Sequence, residues 1–225
     1  MHCFQHQIIQ HQHFTFSKVY VEDLAPQYLE YAYQFYNIQY PIKFHNFKPK
    51  KKLEFLLGRI ALYHQQQWYG DYFNLKNGQY GQPLWPDSFL GSISHTMINE
   101  RSGVAIATLN IDQQHIGIDI ELKRNTSFFI ENSNFLNQFL HESEQYQLKS
   151  FSKDNSLFYL IIFSAKESVI KAICSQQHII LNFHDIQFYH YDYLKQKMTF
   201  KLSKTLKVSV NYLILEQEIM TYCVL

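Results

Sequence analysis

The stretch Ile116-Gly117-Ile118-Asp119-Ile120-Glu121-Leu122 alternates without a break between branched apolar residues and a set of Gly, Asp and Glu. A period of two is that of a β-strand. Ile116, Ile118, Ile120 and Leu122 therefore share one face, and Gly117, Asp119 and Glu121 the other. Two carboxylates project side by side, next to a residue with no side chain. Like charges that close repel unless a cation lies between them or one is protonated. Oxygen-only ligands suit a hard divalent ion such as Mg²⁺, and the glycine leaves room for a ligand beside it. Taken alone, the spacing favours the plainer reading of an amphipathic strand with a solvated acidic face.

A second segment, Phe158 to Ala172, reads as a mostly buried helix. Ser164, Glu167 and Lys171 recur at i, i+3 and i+7 and form one polar stripe on it. A Glu167–Lys171 pair on an exposed face is the simple account of that stripe. So apolar a helix has little exposed face, which makes Glu167 a candidate third carboxylate for a metal. A third segment pairs the rigid turn Gln82-Pro83-Leu84-Trp85-Pro86 with the short strand Gly91-Ser92-Ile93-Ser94-His95-Thr96. A His following small hydroxyl residues can bond a phosphate, although a lone His is more often structural.

With 225 residues the chain can form one large or two small domains with an ample core. A net charge of +1 gives no general case for nucleic acid. The three cysteines, Cys3, Cys174 and Cys223, are scattered. They show neither disulfide nor zinc spacing, as suits the cytoplasm. No apolar run approaches ~18 residues, so no membrane span is expected. The Met1–His6 start lacks the basic and apolar regions of a signal peptide. His2, His6, His11 and His13 with Cys3 could be read as a metal site, but a compositional tract is the better reading. The cluster Lys48-Pro49-Lys50-Lys51-Lys52 reads as a solvated face or a nucleotide-phosphate contact. Arg59, among Leu57, Ile60 and Ala61, reads equally as a ligand contact or as an Arg paired with a carboxylate.

Periodicity and breakers predict a strand over 14–20 and a helix from Pro26 to about Tyr36. A longer helix is predicted over Leu53–Trp68, ended by Gly70. Residues 71–90 read as loop, with a turn at Asn77-Gly78. Strands are expected near 91–95, 103–109 and 115–122, then helices near 130–139, 142–150 and 156–174. Strands return over 187–189, 198–202, 207–215 and 219–225. Each half thus mixes helices with a sheet.

Five segments together resemble the 4'-phosphopantetheinyl transferases, of the longer surfactin- and enterobactin-synthetase-activating type. They are Glu54-Phe55-Leu56-Leu57-Gly58-Arg59-Ile60-Ala61, Gln82 to Pro86, Gly91 to His95, Ile116 to Glu121, and Phe163-Ser164-Ala165-Lys166-Glu167-Ser168 with Lys171-Ala172. They stand in the family's order, and Phe163, where many relatives carry Trp, is similar to the enterobactin branch. Gly81 departs from the Arg common before the Gln-Pro turn. Phe139 to Glu144 matches only loosely.

The resemblance implies an α+β fold of two similar halves, 1–112 and 113–225, packed as a pseudo-dimer with the site between them. It implies a monomeric enzyme that moves the phosphopantetheine arm of coenzyme A to a serine of an apo peptidyl, aryl or acyl carrier domain. A siderophore-making synthetase is the implied pathway. Asp119, Glu121 and Glu167 would hold Mg²⁺, with Glu167 also a general base and Lys171 assisting. Lys52, Arg59, Ser94, His95, Lys166 and Lys171 would contact coenzyme A. The competing readings are a non-catalytic coenzyme A- or carrier-binding homologue, and another Mg²⁺-dependent phosphohydrolase or nuclease.

Overall fold

The chain divides into two units, Met1–Gln113 and Gln114–Leu225. They are described by a computed structural model over residues 3–40, 44–78, 81–131, 133–149 and 156–225. The expected α+β architecture, in two halves that each combine helices with a sheet, is the one observed.

The first unit runs β1 (Phe4–His11), β2 (Phe14–Val21), α1 (Gln27–Phe35), α2 (Pro49–Tyr69), β3 (Lys76–Asn77), β4 (Pro83–Leu84), β5 (Leu90–Met97) and β6 (Gly103–Asn110). Its main sheet has the order β1-β2-β6-β5 and is antiparallel throughout. Helix α2 begins at Pro49 rather than at Leu53. Proline at the first helical position lacks only an N–H that would have no partner there anyway. It ends where expected, at Gly70, whose φ of 69° is the left-handed conformation that glycine adopts freely. Leu53, Leu56, Leu57, Ile60 and Ala61 of α2 pack on Val19, Val21, Ala105, Ala107 and Leu109 of the sheet.

Strand β1 was not expected. Its sequence FQHQIIQH is largely polar and mostly exposed, because it is an edge strand held on one side only by β2. The strand takes up part of the histidine tract. The His6 ring stacks on His64 of α2, with centroids 3.7 Å apart and an interplanar angle of 9°. His2 lies outside the described residues. The expected loop over 71–90 contains the small β3–β4 hairpin. Its turn is closed by the Gly78 amide donating to the Gln82 carbonyl at 2.8 Å.

The second unit runs β7 (Ile116–Leu122), α3 (Thr126–Glu131), α4 (Ser133–Phe139), α5 (Glu142–Lys149), α6 (Ser156–Gln177), β8 (Gln187–Asp192), β9 (Lys197–Lys201), β10 (Lys207–Ile214) and β11 (Glu218–Val224). Its antiparallel sheet has the order β7-β11-β10-β9-β8. First and last strands pair in a register that sets Gly117 against Cys223 and Asp119 against Thr221.

The glycine of the alternating strand has a different role from the one its sequence suggested. A Cβ at Gly117 would fall on the Ser168 carbonyl oxygen and the Ala172 amide nitrogen, with the Lys171 Cβ 3.0 Å away. The Gly117/Asp119/Glu121 face is therefore the face that α6 covers. The room beside the carboxylates is filled by helix backbone, not held open for a ligand. Helix α6 is further tied to β11 by hydroxyls. Ser168 Oγ lies 2.7 Å from Thr221 Oγ1 and donates to the Thr221 carbonyl at 3.1 Å, while Ser164 Oγ lies 3.0 Å from Thr221 Oγ1. Among the described residues no helix is long and apolar enough to cross a membrane.

A methyl group at Gly117 can be accommodated only by moving α6 off the strand. Gly117→Ala should cost about 3 kcal/mol, the upper end of ordinary overpacking. Urea unfolding with an unchanged m-value is the measurement. A loss well under ~1 kcal/mol would show that the helix yields easily.

Candidate functional site

On the β7–α6 contact, Asp119 is almost fully buried. Its Oδ1 accepts a hydrogen bond from Lys171 Nζ at 2.7 Å, and the same ammonium donates to the Ile118 carbonyl at 3.0 Å. Asp119 Oδ2 is buried and accepts no hydrogen bond from the described residues. Lys171 is 28% exposed, so its ammonium borders solvent on one side while the carboxylate holds the other. Glu167 lies one helical turn before Lys171 and is half-buried. Burial pushes its carboxyl above the ordinary range; the Lys171 ammonium opposes that shift and the Asp119 carboxylate adds to it. Glu121, on the same strand face as Asp119, is half-buried and its Oε2 accepts from Asn125 Nδ2 at 3.1 Å.

These oxygens have the chemistry of a site for a hard cation. Among the described residues, no three His, Cys, Asp or Glu side chains stand close enough together to hold a metal by themselves.

In the first unit, Lys52, Phe55 and Arg59 follow one another at i, i+3 and i+7 along α2. Arg59 Nη2 donates to Asn77 Oδ1 at 2.9 Å, and its guanidinium lies 4.6 Å from the Phe55 ring centroid. Burial lowers its pKa to about 10. Among the described residues no carboxylate forms an ion pair with it. It borders a cavity of about 340 Å³ with Tyr36, Tyr63, Gln66, Tyr72 and Phe73. Lys52 Nζ sits 4.4 Å from the Phe44 ring centroid. The lysines that open α2 stand at the positive end of its dipole, which is favourable for a bound anion but not for cations. Ser94 and His95 are adjacent on β5 and so point to opposite faces. Ser94 is buried, and half-buried His95 shares the face of Ile93, which packs against α2.

Two family models match the chain. The model of the 4'-phosphopantetheinyl transferase superfamily covers residues 115–223, and that of the 4'-phosphopantetheinyl transferase N-terminal domain covers residues 42–107. The chain belongs to the 4'-phosphopantetheinyl transferase superfamily. It is similar to enterobactin synthase component D of Salmonella typhi, 36% identical over 125 residues, 55% of this chain and 48% of that protein. The protein of that name from Salmonella typhimurium is 37% identical over 125 residues, again 55% and 48% of the two chains. That of Escherichia coli K12 is 35% identical over 124 residues, 55% of each. The chain spans about half the length of the curated relatives it matches.

Lys166, expected among the coenzyme A contacts of a transferase of this superfamily, is turned the other way. It is fully buried, and its Nζ donates to the Phe139 carbonyl at 2.7 Å, the Phe183 carbonyl at 3.3 Å and Glu144 Oε2 at 3.0 Å. Glu144, missed at the sequence level, also accepts from the amides of His141 at 2.8 Å and Phe188 at 2.6 Å. Every donor of the ammonium is used inside the protein, so Lys166 holds α6 to α5 and β8. The signal was present in kind: a lysine on a nearly all-apolar helix face demands a buried carboxylate.

Removing one partner of such a pair leaves the other charged and buried. Lys166→Met should cost about 3–5 kcal/mol in denaturant unfolding. Adding Glu144→Gln to Lys166→Met should cost much less than Glu144→Gln alone, since a double-mutant cycle reports the shared term. Additive losses would show that the two residues act separately.

Proposed function

We propose that this protein transfers the 4'-phosphopantetheine arm of coenzyme A to a serine hydroxyl of an apo carrier domain, releasing adenosine 3',5'-bisphosphate. The observation that carries the proposal is the β7–α6 contact. It sets a partly exposed ammonium, Lys171, on a buried carboxylate, Asp119, next to a second carboxylate, Glu167, whose pKa is raised. Membership of the superfamily supports the same reaction. Likeness to enterobactin synthase component D extends the proposal to peptidyl or aryl carrier domains of a siderophore-making synthetase.

In this reading the serine oxygen forms a bond to the phosphorus that carries the pantetheine arm, and the bond from that phosphorus to the bisphosphate oxygen breaks. Glu167 takes the serine proton. A carboxylate with a raised pKa is a better base at neutral pH than an ordinary one. Lys171 stands against the phosphate oxygens that gain charge, and Asp119 orients its ammonium. Asp119, Glu121 and Glu167 would hold Mg²⁺ together with the substrate's phosphates; when bound, the ion neutralises charge on the pyrophosphate. Arg59 and Lys52, and with them His95, are proposed as contacts for coenzyme A phosphates. A half-buried guanidinium lacking a carboxylate is a ready partner for a phosphate. The serine belongs to the carrier, so the chain needs no nucleophile of its own.

With coenzyme A, Mg²⁺ and an apo peptidyl carrier domain, the carrier should gain one phosphopantetheine mass on its serine, and chelation of divalent ions should stop the gain. Glu167→Gln should lower the turnover number about 10²–10⁴-fold with the fold intact, as for loss of a general base. Release of phosphate or nucleotide with no mass gained by any of a panel of carriers would replace transfer by hydrolysis. A Glu167→Gln rate within about twofold of wild type would remove Glu167 from the chemistry.

A further inference from the structure

The second unit carries a cleft that the proposed transfer does not use. It has a volume of about 610 Å³, within the usual range for small-ligand sites. Its lining is polar: His141 and Ser143 at the start of α5, His184 in the turn before β8, and Lys201, Ser203 and Lys204 at the end of β9 and in the following turn. Its inner wall is built on the buried Lys166–Glu144 pair, through His141 and the Phe183–Asp185 turn. Asp119 and Lys171 lie instead on the β7 side of α6.

The charge of this cleft is not balanced from within. Among the described residues, neither Lys201 nor Lys204 forms an ion pair, and neither does the adjacent Lys207. Lys201 and Lys207 are cross-strand partners, and both ammonium groups rest on the Tyr189 ring, 4.1 Å and 3.9 Å from its centroid. Two like charges on one ring repel, and an anion beside Lys201 would relieve that repulsion. The one acidic side chain at the cleft among the described residues, Asp185, has Oδ2 bound to the Asn182 amide at 2.8 Å, where it caps its own turn. Glu144 is neutralised by Lys166.

The donors are those an oxyanion needs. Ser203 Oγ accepts from the amides of Thr205 and Leu206, at 3.3 Å and 3.1 Å, which leaves its O–H proton to donate. His141 Nε2 lies 2.8 Å from the His184 carbonyl, so this nitrogen carries the proton and the ring is fixed in the wall. The His141 and His184 ring centroids are 4.8 Å apart, and both rings border the space that Lys201 and Lys204 face.

We infer that this cleft binds a phosphate group, held by Lys201 and Lys204 with Ser143 and Ser203 as hydroxyl donors. The shared chemistry is a phosphate dianion, either inorganic phosphate or the end of a small phosphate monoester. This inference does not depend on the transfer reading, and its measurement does not use that activity.

The test is a titration of the full chain, ¹³C/¹⁵N-labelled in histidine, at constant ionic strength held by sodium chloride. The His141 and His184 ring resonances are followed with inorganic phosphate in one arm and adenosine 5'-monophosphate in the other. Saturable shifts of these two rings are expected, weakened at least about tenfold in Lys201→Gln/Lys204→Gln. Equal affinity in the two arms assigns the site to phosphate itself; at least about tenfold tighter binding of the monoester assigns it to an organic phosphate. If the double variant has lost its dispersed amide spectrum, Lys204→Gln at its exposed position carries the comparison. Shifts that stay linear in concentration, or that are equal in wild type and variant, overturn the inference.

Discussion

Everything at the proposed active centre depends on how closely a helix backbone approaches one strand. Gly117 is buried under α6, with no space for a Cβ between it and the Ser168 carbonyl. The approach lets Lys171, one residue before Ala172, reach beneath its own helix to the Ile118 carbonyl and Asp119. The same contact stacks Ser164 and Ser168 on Thr221, so α6 is fixed at two strands. Stability and site geometry are consequently one problem here. A side chain at position 117 would disturb the core and carry the Lys171 ammonium away from its carboxylate.

Two lysines five residues apart on α6 show how burial divides roles. Lys166 is sealed in, with Glu144 and two carbonyls as partners. Lys171 keeps part of its surface open to water while Asp119 is sealed. An ammonium with all donors used internally is a structural cross-link, because freeing it for a ligand would leave Glu144 charged in the interior. An ammonium with one open side can add a phosphate oxygen without giving up its carboxylate. Glu167, next to Lys166 in sequence, is turned about 100° around the helix and so falls within electrostatic reach of Asp119 and Lys171.

The parts of this structure legible in the sequence were those with a strong period. Ile116–Leu122 is a strand and Phe158–Ala172 lies within a helix because their patterns admit little else. The alternation could separate two faces of β7 but could not say which one a helix would cover, since both are buried. Glycine between Ile116 and Ile118 signals a close approach without saying of what. Strand β1 escaped because an edge strand needs no apolar face, and FQHQIIQH offers only a weak one. The partnership of Lys166 with Glu144 spans 22 residues of chain, from α5 to α6, and no local pattern reports a contact at that range.

Charge placement in the first unit follows from similar physics. Helix α2 starts with Pro49, Lys50, Lys51 and Lys52, which sets cations where the helix dipole is already positive. Lys51 pairs with Glu54 at 2.9 Å, and Lys52 leans on the Phe44 ring. One heptad later Arg59 is half-buried against Phe55 and bonded to a neutral amide, Asn77. Each arrangement is poorer than an ion pair, and each lies on the same stripe of the helix. A stripe built that way is strained electrostatically in isolation and relaxed by an anion. For a chain of this superfamily, the phosphates of coenzyme A are the proposed source of that anion.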